Sequence, residues 1–242
     1  MKFWYPFYFI YTIVVAVPLI IVATILAAVL TLILSPLFPD SKFSYIPAIL
    51  WSRFTCYVLL FRVKVSGLEN IDPKQSYIFT PNHQSLFDVL IIYGWLPSIF
   101  KWVMKKELRM IPFVGSACDA AGHIFINREN AHAARQSLVQ AGGKLKNGVS
   151  TVIFPEGTRT KTGQLSRFKR GAFLMALDLQ LPVVPITLIG SFERVRSNFF
   201  FPGRVEMVVH PPVDVTEYSV EESSALVRHV QEIVAKPLVS SK

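Results

Sequence analysis

The chain of 242 residues is long enough for one large globular domain with an anchor and too short for two catalytic domains with cores of their own. Hydrophobic residues make up 52% and charged residues 17%, against about 25% charged in ordinary soluble domains, a deficit that points to a bilayer. The net charge of +9 sits in residues 101–170, with 13 Lys/Arg against four Asp/Glu; no base-reading helix, aromatic RNA-binding pattern or zinc finger accompanies it, which sets nucleic acid aside in favour of an anionic ligand or membrane.

Residues 3–39 carry no charged side chain, and 11–34 are almost wholly Val, Ile, Leu and Ala. About 20 helical residues cross a bilayer, so this run is longer than one upright span; it tilts, kinks at Pro18 or continues along the interface. A secretory signal has an apolar core of about 7–15 residues before a small-residue cleavage site, and this core is far longer. A second apolar run over 43–61 contains Arg53, which speaks against a second full span because arginine at mid-bilayer is costly. The expectation is an anchoring helical hairpin over 1–61 whose second helix lies shallow, with Tyr45, Trp51 and Tyr57 at headgroup level. A single anchor followed by a core helix is the competing reading.

From Arg62 onward short β-rich runs alternate with helical ones, the pattern of an α/β domain over 62–242 with a largely parallel mixed sheet flanked by helices. Strands are predicted over 62–66, 76–80, 99–104, 123–127, 151–154, 183–189 and 205–210, and helices over 85–94, 130–145, 170–179 and 220–235. Cys56 and Cys118 belong to no CxxC or Cys/His cluster, so neither a metal site nor a disulfide framework is expected. In open α/β sheets ligands bind beyond the carboxyl ends of the strands.

Two motifs fall there. Asn82-His83-Gln84-Ser85-Leu86-Phe87-Asp88 leads from a strand into a helix. Histidine serves as a general base without a large pKa shift, and a carboxylate on its other ring nitrogen fixes the tautomer and stabilises the imidazolium. Within one regular helix the five-residue spacing would put His83 and Asp88 on different faces. Ser85 is a natural N-cap, however, so a loop histidine can fold back over the first turn. Asp88 also suits a Ser85-x-x-Asp88 capping box, and the two roles are compatible. In Phe154-Pro155-Glu156-Gly157-Thr158-Arg159, Pro155 sets a turn, Gly157 admits close backbone approach and Arg159 offers a planar fork for phosphate. An ordinary type I turn with a surface arginine uses the same residues. Lys105, Lys106, Arg128, Lys169 and Arg170 add cations that a phosphate pocket can recruit.

These residues resemble the glycerolipid acyltransferase family, and within it the 1-acylglycerol-3-phosphate O-acyltransferases. Residues 82–88 are similar to the family's NHxxxxD block, 122–128 to its second block, 154–159 to its FPEGTR block and 181–186 to its fourth, proline-bearing block, in family order. The apolar start resembles the family's two-helix membrane element. One position departs: the acidic residue that usually precedes the arginine of the second block is Asn127, which bears on how Arg128 is held.

The resemblance implies transfer of a fatty acyl group from a thioester to the sn-2 hydroxyl of 1-acylglycerol-3-phosphate, forming phosphatidic acid. His83 would be the base and Asp88 its orienting partner. Glu156, Gly157, Thr158 and Arg159 would form the acceptor site, with Arg128 as a second phosphate contact and Lys105 as a further cation. Another lysophospholipid or glycerol 3-phosphate is the alternative acceptor. No acyl-enzyme is implied, in keeping with the lack of a GxSxG elbow. The expected donor is acyl-CoA or acyl carrier protein, with no other cofactor. The expected location is a membrane, the inner one in a bacterium, with the catalytic domain facing the cytoplasm where the donor is. A hydrolase using a histidine-activated water and a non-enzymatic anionic-lipid binder are the rival readings.

Overall fold

A 33-residue helix, Tyr5–Leu37, opens the chain. At 1.5 Å per residue it is about 50 Å long, against roughly 30 Å of bilayer hydrocarbon. By length and composition it is able to cross a membrane, and only 11% of its most apolar stretch is buried by the rest of the protein. Its turn widens into a π-helical segment at Thr12–Ala16, just ahead of Pro18, whose ring would meet the carbonyl of Val14 in a regular helix. The computed structural model describes residues 4–127, 142–143, 145, 147–196 and 199–240.

Ser41 caps the second helix, Lys42–Val58, by accepting from Ser44 N. This helix folds back along the first, and Trp51 Nε1 donates to Thr24 Oγ1 across the pair at 2.9 Å. Arg53 turns to the protein: its Nε donates to Gly94 O at 2.7 Å and its guanidinium lies over Trp95. Tyr45, expected at headgroup level, is instead buried, its hydroxyl donating to Phe100 O at 2.8 Å and its ring packed on Tyr93 and Phe100. A backbone acceptor inside the protein satisfies the phenol as well as interfacial water would, and the ring gains apolar contact.

The strands are β1 (Phe61–Ser66), β2 (Ile78–Pro81), β3 (Ile99–Lys105), β4 (Ile124–Ile126), β5 (Val149–Val152), β6 (Val183–Ile189), β7 (Val195–Arg196), β8 (Phe199–Phe200) and β9 (Gly203–Val209). Seven of them form one sheet in the order β1-β9-β6-β2-β5-β3-β4, and β7 and β8 form a separate hairpin. Among the described residues, only β6 and β9 pair antiparallel within the large sheet. Parallel strands covered on both faces read as continuous apolar runs, and β2 and β6 do so. Alternation splits their side chains between two cores: Phe79 and Val184 join Tyr45, Cys56, Ile91 and Phe100 on one face, and Ile78 and Val183 join Phe173, Leu226 and Val230 on the other. The first core is closed by the helices Lys42–Val58 and Phe87–Trp95, the second by Gly171–Leu179 and Ser223–Ser240.

The strand 183–189 has its predicted bounds. The expected helix over 130–145 lies almost wholly outside the described residues. The helix Val114–Ala120, the short 3-10 turns Leu68–Asn70 and Lys106–Met110 and the antiparallel pair β7–β8 are not among the expected elements. The hairpin links distant parts of the chain, since Phe199 packs on Phe9 and Phe200 on Phe87, each with centroids 4.9 Å apart.

Candidate active site

The carboxyl ends of the neighbouring parallel strands β2 and β5 carry the two motifs. Asn82 extends β2 by a side chain that imitates a strand neighbour: Oδ1 accepts from Leu188 N at 2.7 Å and Nδ2 donates to Leu188 O at 3.0 Å. The loop that follows is organised by one carboxylate. Asp88 Oδ2 accepts from His83 Nδ1 at 2.9 Å, Gln84 N at 2.6 Å and Ser85 N at 2.8 Å, and Oδ1 accepts from Ser191 Oγ at 2.6 Å. Asp88 is fully buried, and a buried carboxylate is tolerated only when donors replace its lost water. Bracing of the loop amides and the histidine partnership therefore coexist in one side chain, while the helix itself starts at Phe87 with Leu86, not Ser85, at its N-cap position.

A carboxylate only accepts, so Nδ1 of His83 carries hydrogen and Nε2 presents a lone pair on the far side of the ring. The imidazole stacks on Phe154 with centroids 3.7 Å apart and planes at 15°, and Phe154 stacks on Trp102 at 5.5 Å. The imidazole keeps 15% exposure while Asp88 has none, which leaves the ring reachable and its partner dry.

Glu156 fixes the loop from the other side. Its Oε1 accepts from His83 N at 2.6 Å and its Oε2 from Ser166 N at 2.8 Å. Burial pushes its carboxyl above the usual carboxylate range, opposed by those two amides. Both oxygens thus serve the protein's own backbone. Gly157 has φ +76°, and a Cβ there would come within 2.8 Å of Lys169 Nζ, so glycine supplies the left-handed turn and leaves space for that ammonium. Thr158 and Arg159 are exposed, and Thr160 N donates to His83 O at 2.9 Å, which brings the second motif's arginine within one residue of the histidine loop. Lys105 is exposed at the carboxyl end of β3, 3.6 Å from the Glu107 carboxylate. Arg128 lies outside the described residues.

His123, in the second block, has a different character. Its Nδ1 accepts from Trp102 N at 3.2 Å, so Nε2–H faces the Tyr93 hydroxyl. Burial, and then the Lys101 ammonium, lowers its pKa to about 3, which makes it a neutral structural group at ordinary pH. Sequence reasoning missed Ser191 and Ser166, which hold Asp88 and Glu156 respectively. Neither lies in a recognisable local pattern, and Ser191 is 103 residues from the carboxylate it holds.

A family model described as Acyltransferase matches residues 62–189, more than half of the chain. The 1-acyl-sn-glycerol-3-phosphate acyltransferase of Borreliella burgdorferi is 32% identical over 183 residues, 75% of this chain and 73% of that protein. The 1-acyl-sn-glycerol-3-phosphate acyltransferase alpha of Mus musculus is 35% identical over 180 residues, 72% of this chain. The chloroplastic LPAT1 of Arabidopsis thaliana is 32% identical over 176 residues, 71% of this chain. The match spans 63% of the mouse protein's length and 49% of the Arabidopsis protein's. Among solved structures, the 1-acyl-sn-glycerophosphate (LPA) acyltransferase PlsC of Thermotoga maritima superposes with a TM-score of 0.72 at 32% identity, covering 82% of this chain and 80% of that one. A histidine held by a buried aspartate at the carboxyl edge of a parallel sheet thus lies inside the segment these proteins share, and the chain belongs to the acyltransferase family.

Proposed function

We propose that the protein transfers a fatty acyl group from an acyl thioester to the sn-2 hydroxyl of 1-acylglycerol-3-phosphate, giving phosphatidic acid. The observation that carries this reading is the bond from His83 Nδ1 to the fully buried Asp88, on a chain whose relatives are named for that acceptor. Nε2 of His83 takes the proton as the acceptor hydroxyl oxygen attacks the thioester carbonyl. Asp88 stabilises the imidazolium that results. The tetrahedral intermediate collapses with cleavage of the C–S bond, and the leaving thiolate takes up the proton from His83. The acceptor phosphate is bound by Arg159 on the exposed Gly157–Arg159 turn with Lys169 beside it, and Glu156 keeps the turn and the histidine in register.

The donor is acyl-CoA or acyl carrier protein, and the site acts at a membrane in which the helix Tyr5–Leu37 lies, with the catalytic domain on the cytoplasmic side. The length and apolar composition of that helix support the membrane reading. The test is acyl transfer by the purified protein from labelled acyl-CoA, and separately from acyl carrier protein, to a panel of lysophospholipids and glycerol 3-phosphate, with His83→Ala in parallel. Labelled phosphatidic acid from the unmodified protein alone is the expected result. No transfer to any acceptor from either donor refutes the assignment.

A further inference from the structure

Between β3 and the helix Val114–Ala120 the chain turns a run of large apolar side chains outward: Leu108 is 42% exposed, Met110 83%, Ile111 43% and Phe113 52%. A loose loop would collapse and hide such groups, but this one is held open by its own bonds. Ile111 N donates to Leu108 O, Val114 N to Pro112 O, Gly115 N to Ile111 O and Ala117 N to Phe113 O. Arg109 pairs with Asp119 at 2.7 Å and lies over Phe125. Phe113 takes φ +62°, a region bulky residues rarely occupy. A Cβ on Gly115 would fall 2.1 Å from Arg109 O, so the turn is closed tightly on itself. The exposure is built in, and contiguous exposed apolar surface marks a contact site.

Two neighbours indicate what covers it. Val114, Ala117 and Ala121, which follow the loop directly, share an apolar cleft with Ala27, Ala28 and Thr31 of the N-terminal helix, so the loop lies beside that helix, whose Leu26, Leu30 and Ile33 are exposed. Lys105, Lys106 and Arg109 are interleaved with the apolar side chains, the mixture that suits anionic headgroups above acyl chains. The loop also leaves β3 at the carboxyl end of the sheet, where His83 stands and where Leu86 is 58% exposed.

We propose that residues 106–113 are a second bilayer contact, dipping into the headgroup region and setting the His83 end of the sheet against the membrane surface. The proposal rests on the reading of Tyr5–Leu37 as a membrane element. Its consequence is that a lipid acceptor reaches His83 from the side, within the leaflet, without passing through water.

The test uses the full chain with Cys56 and Cys118 replaced by alanine and Met110→Cys carrying an environment-sensitive fluorophore. The protein is reconstituted in phosphatidylglycerol and phosphatidylethanolamine vesicles, with and without brominated acyl chains. Quenching by brominated lipid and protection from aqueous iodide are expected. A label open to iodide and untouched by brominated lipid overturns the proposal. So does a label shielded from both, which would reveal a protein partner or a second copy. In a second arm, Met110→Asp/Phe113→Asp lowers kcat/KM at least about tenfold toward a long-chain acceptor held in the vesicles and leaves a short-chain, freely dissolved acceptor unaffected. Equal loss on both acceptors, or on neither, overturns it. Failure of the unmodified protein to transfer acyl groups at all would fall on the proposed reaction and leave the fluorescence readout to decide the contact.

Discussion

Asp88→Asn separates the two duties of the carboxylate that organises the catalytic loop. An asparagine carbonyl in the Oδ2 position still accepts from His83 Nδ1, Gln84 N and Ser85 N. Its amide nitrogen then faces the hydroxyls of Ser191 and Ser85, which rotate to accept. Folding therefore loses only the charge assistance of those bonds, about 1–2 kcal/mol. Chemistry loses more. With charge centres about 4 Å apart and an effective dielectric near 20, the carboxylate stabilises the imidazolium by about 4 kcal/mol, about a thousandfold in kcat. Asp88→Ala instead leaves two backbone amides without an acceptor and costs roughly 2–5 kcal/mol of stability. The assay is kcat at saturating donor and acceptor beside thermal melting in detergent. An asparagine variant within about tenfold of the original kcat would show that the carboxylate only braces the loop and refute its catalytic part.

His123 makes stability depend on acid. Its folded pKa of about 3 lies below the ordinary 6.5, so its contribution is complete above pH 6.5 and is lost as pH falls toward 3, by about 1.4 kcal/mol per unit; His123→Gln should remove that slope from denaturation curves between pH 6 and 4, and parallel curves would count against it. Gly157→Ala forces a side chain into φ +76° against Lys169 Nζ; a cost of about 1–2 kcal/mol and a several-fold higher acceptor KM are expected, whereas an unchanged KM would remove the turn from the acceptor site. Lys101 is buried, with its ammonium 2.6 Å from Asp40 and 2.7 Å from Ala121 O. Asp40→Asn should lower stability by about 1–3 kcal/mol, partly restored by adding Lys101→Met; equal melting of all three proteins would show that the pair contributes nothing.

Patterns that act over a few residues were legible in the sequence. The run 183–189 is apolar because it is a central strand, and the spacing of His83 and Asp88 foretold the histidine contact, whereas the N-cap position falls on Leu86, without a side-chain cap bond, and not on Ser85. The predicted bounds fail where a site interrupts a regular element. The helix begins at Phe87 rather than Ser85 because Asp88 draws the Gln84 and Ser85 amides out of helical geometry. The strand β5 ends at Val152 because Phe154 leaves the sheet to stack on the imidazole. The helix Val114–Ala120 has seven mostly small residues, too few for a period, and owes its place to the N-terminal helix it packs against. Arg53 and Tyr45 look like interface residues in sequence, and only the positions of Gly94 and Phe100 reveal their inward partners.

One core holds Ala16, Tyr45, Cys56 and Leu59 of the first two helices together with Phe79, Phe100 and Val184 of the sheet. The first two helices are therefore half of the wall against which the sheet condenses. During synthesis the amino-terminal end emerges first, so the sheet finds its packing partner already made, and on the proposed membrane reading insertion and folding become one coupled equilibrium. A fragment beginning at β1 would keep only Phe87–Trp95 over that face, and the apolar surface uncovered by the loss of Lys42–Val58 would drive it to self-association.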